Sequence, residues 1–435
     1  MALSGLLVVA AGIVLFAIVS KRLERTIITL PIVFVAFGWL IGKGGFAIAN
    51  IDPGHKIIHV IAELTLILVL FADAARIDLK LLIKDHGLPL RMLVFGFPLT
   101  VILGAVTALG VFPGITLAEA ALLAAILAPT DAALGQAVLT SPLVPARIRQ
   151  TINVESGLND GMALPVVIVC AIWAGGAVLG GVGDSTGGGN IAMFTVLQVT
   201  LGPLAGIAVG FAGAHIIDWA ATRDWMSESF QGISILAIAL IAFGGAELIG
   251  GNGFIAAFLA GLVFGATVRH RCAFLFEFME TEGQLLILIT FLIFGAAMLP
   301  DGLAALDWQI VLYATLSLTL VRMIPVVLSL SGTGISIATK GFLAWFGPRG
   351  LASILFALLI LEKYPIARGD AILACVVVTV ALSTLLHGIT AAPMALAYGK
   401  MVARQGACEE TKSVSEMPFR HGQVLPHDTT EERTS

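Results

Sequence analysis

The sequence is short of charge. Of 435 residues only 12% are Asp, Glu, Lys or Arg, about half the share usual in soluble domains. So little charge cannot cover a soluble surface of this size. Cysteine is scarce as well: Cys170, Cys272, Cys375 and Cys408 lie far apart, with neither metal-ligand nor disulfide-framework spacing. No GxxxxGK[ST] loop and no dinucleotide fingerprint in a strand–helix context is present, which argues against nucleotide binding and against transport driven by ATP hydrolysis. No basic run suggests nucleic acid, and the net charge of −4 reflects loops and the C-terminal stretch. The N-terminus "MALSGLLVVAAGIVLF" has no basic n-region and reads as a first membrane helix rather than a cleaved signal.

What the chain has is apolar length. It is 58% hydrophobic with a mean hydropathy of +1.01. Apolar runs of about 20 residues, the length that spans a bilayer as helix, recur throughout. The reading is an all-α polytopic membrane protein with about thirteen spans, near 4–20, 26–43, 56–75, 90–112, 115–139, 147–175, 191–221, 229–249, 252–269, 279–300, 306–329, 338–362 and 370–400. The pair around "GGNG" (250–253) also fits one broken helix. The 48 glycines suit close helix packing in lipid.

Basic loops at 21–25, 76–91, 145–150 and 268–271 fall on one side of this arrangement. Acidic or neutral loops at 180–190 and 300–307 fall on the other, against which "EKYPIAR" (362–368) is an exception. The positive-inside rule then places the N-terminus outside and the C-terminus in the cytoplasm. Residues 1–402 form the membrane domain, and 403–435 read as a short flexible cytoplasmic tail, with a regulatory segment as the alternative.

Ionisable groups inside apolar spans cost at least ~2.5–3.5 kcal/mol each on insertion scales, so each is a candidate for function. Three stretches hold them. In "ILAPTDAALGQAV" (126–138), Pro129 interrupts the helix beside Thr130 and Asp131. Interrupted helices form ion sites in secondary transporters, although an Asp there also serves as a helix cap. In "ESGLNDG" (155–161), Glu155, Ser156, Asn159 and Asp160 share an arc of about 140° at about 100° per residue. That arc offers hard oxygen ligands suited to a small cation. A partly desolvated carboxylate there can hold either a proton or a cation, the simplest basis for exchange. In "AWFGPRGLAS" (344–353), Gly and Pro again interrupt a span, now with Arg349. Helix counting gives this span the opposite direction to the one containing Asp131, as an inverted repeat requires. Arg349 needs a buried acid, and Glu155 is the expected partner.

Asp73 in the third span reads either as a lining group near the cytoplasmic end of an ion path or as a helix-end cap. Glu63 reads as facing a cavity or a helix contact, Arg322 as binding carbonyls at a loop or helix end, and Glu247 as interfacial. His215 and His387, toward span ends, read as structural histidines, with pH sensing as the alternative.

"APTDA" (128–132), "ESGLNDG" and "GPRG" (347–350) together resemble the monovalent cation/proton antiporters of the sodium/proton exchanger branch, of bacterial and archaeal NhaP type. "FLIFGA" (291–296), Arg322 before Pro325 and "LLHGIT" (385–390) add to the likeness, which covers nearly the whole membrane region. The resemblance implies a homodimer in a cell inner (plasma) membrane, each protomer having a six-helix core that moves against a dimerisation domain. It implies that Asp160 is the central ion- and proton-carrying carboxylate. The Thr130 carbonyl and the Ser156 hydroxyl would join Asp160 around Na⁺, Asp131 would act nearby, and Glu155 and Arg349 would form the core ion pair. Asn159 stands where an electrogenic branch has a second Asp, so the resemblance implies electroneutral exchange of one cation for one proton. The expected function is Na⁺/H⁺ antiport, extending to Li⁺, with no cofactor and no enzymatic reaction. K⁺/H⁺ antiport is the alternative within transporters; an uncoupled cation channel or sensor and an intramembrane aspartyl protease are the readings from other classes.

Overall fold

The computed structural model describes residues 3–23, 29–49, 56–77, 82, 87–179, 187–268, 273–406 and 408–414. The orientation-setting segments at 78–81, 180–186 and 269–272, and the chain from 415 onward, lie outside the described residues. All regular structure among the described residues is helical. Helices α1 (Leu3–Leu23), α2 (Leu30–Ile41) and α3 (Lys56–Arg76) come first. Helix α4 (Gly87–Val111) carries a π-helical turn at Met92–Gly96. Next come α5 (Leu117–Leu127) and the short α6 (Ala132–Leu139), bent 46° to each other. Then follow α7 (Ala146–Leu179), α8 (Gly187–Thr222), α9 (Glu228–Leu248) and α10 (Gly253–Val268). Helix α11 (Ala273–Ile293) passes through a π-helical turn at Phe294–Met298 into Leu299–Ala304. Helix α12 (Trp308–Ser329), α13 (Ile337–Trp345), α14 (Leu351–Lys363) and α15 (Gly369–Gln405) complete the chain.

Among the described residues seven helices are long and apolar enough to cross a bilayer, or eight with the bent pair α5–α6. Four further apolar stretches are shorter, at Leu7–Ser20, Leu30–Ile41, Gly232–Leu248 and Gly253–Val268. Length and apolarity therefore establish a multi-pass membrane protein without fixing the expected count of thirteen. The "GGNG" segment is a turn between two separate helices, α9 and α10, which pack on each other.

The helices sort into two groups by packing. One gathers α3 and α8–α10, with α2 laid along α11; the other gathers α4, α5, α7 and α12–α15. Helix α7 touches both, meeting α5 on one side and α3, α8 and α10 on the other. At one end of the molecule polar side chains also bridge the groups. His59 of α3 lies against the Glu362 carboxylate of α14, and Lys363 Nζ sits 3.7 Å from Glu247 of α9.

Glycine decides how closely the first group packs. Gly202, Gly206 and Gly210 repeat every fourth residue along α8 and lie on the α10 backbone. A Cβ at Gly206 would stand 2.3 Å from the Ala256 carbonyl oxygen, and one at Gly210 would stand 2.5 Å from that of Ala260. On the other face of α10, Gly261 and Gly265 lie against the Phe71 and Ala75 carbonyls of α3. This is the close small-residue packing that drives helix association in lipid. Because the obstacle is backbone, no rotamer change relieves it. Gly206→Val is expected to cost at least ~1–3 kcal/mol of overpacking, seen as a lower melting temperature in detergent. Gly244→Ala, where a Cβ meets nothing within 4 Å, should be neutral or mildly stabilising in the same assay.

Helix α15 continues to Gln405, three residues past the expected boundary at 402. Of the expected tail, only 403–406 and 408–414 are described. Residues 408–414 are placed against the membrane domain, with Glu410 buried and Cys408 packed beside the cluster of Phe342, Tyr398 and Val402. The apolar pattern does not report this contact, because hydrogen bonds and ion pairs hold the segment.

Candidate functional site

Two helix breaks meet in the second group. The first, residues 128–131, separates α5 from α6, where Pro129 cannot donate to the preceding turn. The second, 346–350, separates α13 from α14 at "FGPRG". The breaks are bonded to each other: the Asp131 N–H donates to the Pro348 carbonyl at 2.8 Å. The Asp131 carboxylate accepts from the Ala133 N–H through Oδ1 and from the Leu351 N–H through Oδ2, both at 2.9 Å. One buried acid thus caps the start of α6 and the start of α14 together, both positive dipole ends. The Ser353 hydroxyl adds a bond to the Ile126 carbonyl at 2.7 Å. Gly350 has to be glycine here, because a Cβ would stand 2.3 Å from Asp131 Oδ2.

Helix α15 braces the second break. The Ser383 hydroxyl accepts the Arg349 N–H at 2.7 Å, and His387 Nε2 lies 3.0 Å from the Trp345 carbonyl. His387 is buried, which agrees with a structural histidine and adds a specific duty at the end of α13.

The "ESGLND" face of α7 lies against the first break. The Ser156 hydroxyl donates to the Thr130 carbonyl at 2.5 Å. The Asn159 amide donates to Thr130 Oγ1 at 2.6 Å, and Thr130 Oγ1 donates to Glu155 Oε2 at 3.2 Å. Those bonds fix the orientation of the Asn159 amide and leave its Oδ1 buried with no hydrogen-bond partner. Asp160 follows on α7 and is buried. Gly161 and Gly157 seat this stretch: a Cβ at Gly161 would meet the Phe258 ring of α10 at 2.2 Å, and one at Gly157 would meet Ile77 at 3.3 Å. The Asp73 carbonyl lies 3.9 Å from that same Gly157 position, so the expected third-span acid borders the site helix. Asp73 and Arg76 are both buried at this end of α3.

The structure corrects the expected Glu155–Arg349 pair. Glu155 Oε1 instead takes Arg322 Nη1 of α12, at 2.8 Å. Two details explain the exchange. Helix α12 is interrupted at Thr319, three residues before Arg322. Gly347 then leaves room for the guanidinium, since a Cβ there would stand 2.3 Å from Arg322 Nε. Arg349 folds back on its own break and donates through Nη1 to the Gly347 carbonyl at 2.6 Å. It satisfies an open carbonyl near the C-terminal end of α13, a negative dipole end. The expected role of Arg322, a carbonyl-binding group, thus belongs to Arg349. The signal for the true pair was present: an Arg inside "LTLVRMIPV" needs a buried acid as much as Arg349 does.

Thr130, Asp131, Glu155, Ser156, Asn159, Asp160 and Arg349 are all brought to one region where α7 passes the crossed breaks. Chemically this is a buried oxygen-rich site. Asp131, Glu155 and Asp160 bring three carboxylates, while Arg322 and Arg349 bring two guanidinium groups; none of the five is more than 5% exposed. Among the described residues no cluster of His, Cys, Asp and Glu forms a site for a tightly bound metal.

A sequence model described as sodium/hydrogen exchanger, transmembrane, matches residues 8–397. The chain belongs to the sodium/hydrogen exchanger family. Curated relatives in the family include the K(+)/H(+) antiporter NhaP2 of Shewanella sp. strain MR-4, 25% identical over 358 residues, covering 80% of this chain and 58% of that protein. The K(+)/H(+) antiporter NhaP of Alkalimonas amylolytica is 22% identical over 349 residues, covering 78% and 57%. The chain therefore spans less than three-fifths of the length of these exchanger relatives. The sodium proton antiporter MjNhaP1 of Methanocaldococcus jannaschii shares the fold: one of its structures superposes with a TM-score of 0.68 at 21% identity, covering 89% of this chain and 96% of that one.

Proposed function

We propose that this protein is a secondary active antiporter that exchanges one monovalent cation for one proton by alternating access. The observation that carries the reading is the charge count of the buried site. With all groups ionised, three carboxylates and two guanidinium groups leave one negative charge. One proton or one monovalent cation brings the site to neutrality, and both together exceed it. A cycle that moves either across, but not the empty site, exchanges them one for one.

The residues divide this work. Glu155 with Arg322, and Asp131 with the starts of α6 and α14, hold the breaks. Asp160 is the exchanging carboxylate. The Thr130 carbonyl and the Ser156 hydroxyl are oxygens a cation would share with it, since the hydroxyl can keep its bond to Thr130 while turning a lone pair to the ion. Asn159 supplies a neutral oxygen where a second acid would add a titrating group. Asp73 lines the approach from the end of α3. Moving the site empty, with its one net negative charge, through a low-dielectric interior would be costly, and this cost couples the two fluxes. We place the protein in a cell inner membrane with the C-terminus cytoplasmic, as a homodimer, supporting pH homeostasis rather than catalysing a reaction.

Na⁺ is the proposed principal cation, with Li⁺ beside it; the names of the curated relatives support K⁺ as the second reading. The test is reconstitution in vesicles loaded with a pH-sensitive dye. Addition of Na⁺ or Li⁺ should move protons against their gradient, with little effect of an imposed membrane potential at fixed ion gradients. Response to K⁺ alone would favour the second reading. Strong potential dependence would overturn one-for-one exchange, and cation flux without proton flux would overturn antiport.

A further inference from the structure

The N-terminus of α13 is capped from far along the chain. Ser336 is its N-cap, and the Ser336 hydroxyl accepts the Thr339 N–H at 3.2 Å. A local capping box would carry Glu or Gln at the position of Thr339 to receive the N–H of the cap residue. Here that carboxylate arrives from Glu410. Its Oε1 accepts the Ser336 N–H at 2.8 Å and the Thr339 hydroxyl at 2.8 Å, and the Tyr398 hydroxyl of α15 lies 2.9 Å from Thr339 Oγ1. Thr339 is fully buried, and Glu410 is 2% exposed. The adjacent Glu409 receives Arg147, which donates to its backbone carbonyl and, at 3.1 Å, to its carboxylate. Lys412 pairs with Glu409 in turn.

These contacts join three elements of the ion site. Arg147 lies in the first turn of α7, about two turns before Glu155. Tyr398 lies on α15, the helix that braces the second break through Ser383 and His387. The capped helix α13 has nine residues and ends at that break, so cap and break are about 13–14 Å apart. A solvated chain end has no reason to bury a carboxylate at a helix start. One negative charge at the positive end of a short helix, closed by hydrogen bonds, does.

We propose that Glu410 is a positioning residue for the transport site: the segment after α15 locks the start of α13 to the start of α7 and so sets where the two breaks cross. Its bearing on ion binding rests on the antiporter reading; its bearing on the breaks does not. The lock is built to stay charged. Burial works to raise the Glu410 carboxyl, but hydrogen bonds from Ser336 and Thr339 outweigh it and hold the group at about 2, below its ordinary 4.5. Such a depressed value gives stability that is fully present above pH 4.5 and lost only as the pH falls toward 2. The lock therefore does not titrate in the neutral range.

The test compares the full-length wild type with Glu410→Ala, Glu410→Gln and Thr339→Val. Backbone hydrogen exchange is followed in peptides covering 128–133 and 346–352, together with cation-driven proton flux in vesicles. Glu410→Ala should raise exchange in both breaks about tenfold and raise the half-saturating cation concentration several-fold, with a smaller change in maximal rate. Glu410→Gln should recover part of both effects, equally from pH 5 to 9. Should Glu410→Ala not be purifiable, Thr339→Val keeps the side-chain shape, removes one donor to Glu410 and should give the same pattern at lower amplitude. Faster exchange confined to 337–340, with both breaks and the half-saturating concentration unchanged, would overturn the proposal and leave a local helix cap. Loss of wild-type cation-driven proton flux would count against the antiporter reading alone, because the break peptides judge the lock independently.

Discussion

Asp160→Asn is expected to abolish cation-driven proton flux, reducing the signal of reconstituted vesicles to that of empty ones. Of the three buried carboxylates at the crossed breaks, Asp131 accepts from two helix-end amides and Glu155 holds Arg322. Asp160, next to Asn159 on the α7 face that meets the first break, is the proposed exchanging group. Asn keeps the size of the side chain but binds no proton and brings no charge to a cation. The variant site is neutral when empty, so it can reorient without cargo and no longer couples the fluxes. The Arg322–Glu155 pair and the bonds of Asp131 do not involve the changed group, so the crossed breaks should keep those contacts in the variant. Retention of coupled flux by this variant would remove Asp160 from the mechanism.

The second large effect is expected at Arg322. Arg322→Ala leaves Glu155 as a buried carboxylate whose guanidinium partner is gone. Breaking a buried pair on one side costs ~3–5 kcal/mol, chiefly the penalty of the charge left behind. A double variant, Glu155→Gln with Arg322→Met, removes both charges and should recover much of that stability, since buried pairs often contribute little net to folding. Thermal melts in detergent of Glu155→Gln, Arg322→Met and the double variant would measure the coupling. If Arg349→Met couples to Glu155→Gln as strongly as Arg322→Met does, the assigned pairing is wrong. Transport should fall with Arg322→Ala even where the protein folds, because Glu155 also receives the Thr130 hydroxyl, whose residue lies in the first break.

Much of this site was legible in the chain. Pro129 and Pro348 inside apolar spans marked the breaks, and the short arc of Glu155, Ser156, Asn159 and Asp160 marked the helix that faces them. Those signals are local. Turn chemistry and helical period act over a few residues, so a sequence carries them directly. The choice between Arg322 and Arg349 for Glu155 was not local. It depends on the missing side chain of Gly347, on the interruption of α12 at Thr319, and on a carbonyl that draws Arg349 back. Nor was the docked segment at 408–414 legible, because it has no apolar period and its main partner, Thr339, lies 71 residues earlier. The packing of α8 on α10 sits between these cases: the abundance of glycine pointed to close helix packing, whereas the helices that use Gly202, Gly206 and Gly210 were not legible.

The mutual bonding of the two breaks bears on how this chain can change length. Connecting segments usually accept inserted or deleted residues, because nothing beyond their ends fixes their register. Residues 128–131 and 346–350 are irregular backbone without that freedom. One residue added to 346–350 would carry either the Pro348 carbonyl or the Leu351 N–H away from Asp131, and one added to 128–131 would move Asp131 itself. A library of single-residue insertions along the chain should therefore show two narrow intolerant windows, in register with each other although more than two hundred residues apart in sequence. Lineages of this protein that vary in loop length would be expected to keep both windows at constant length, and to move them together or not at all.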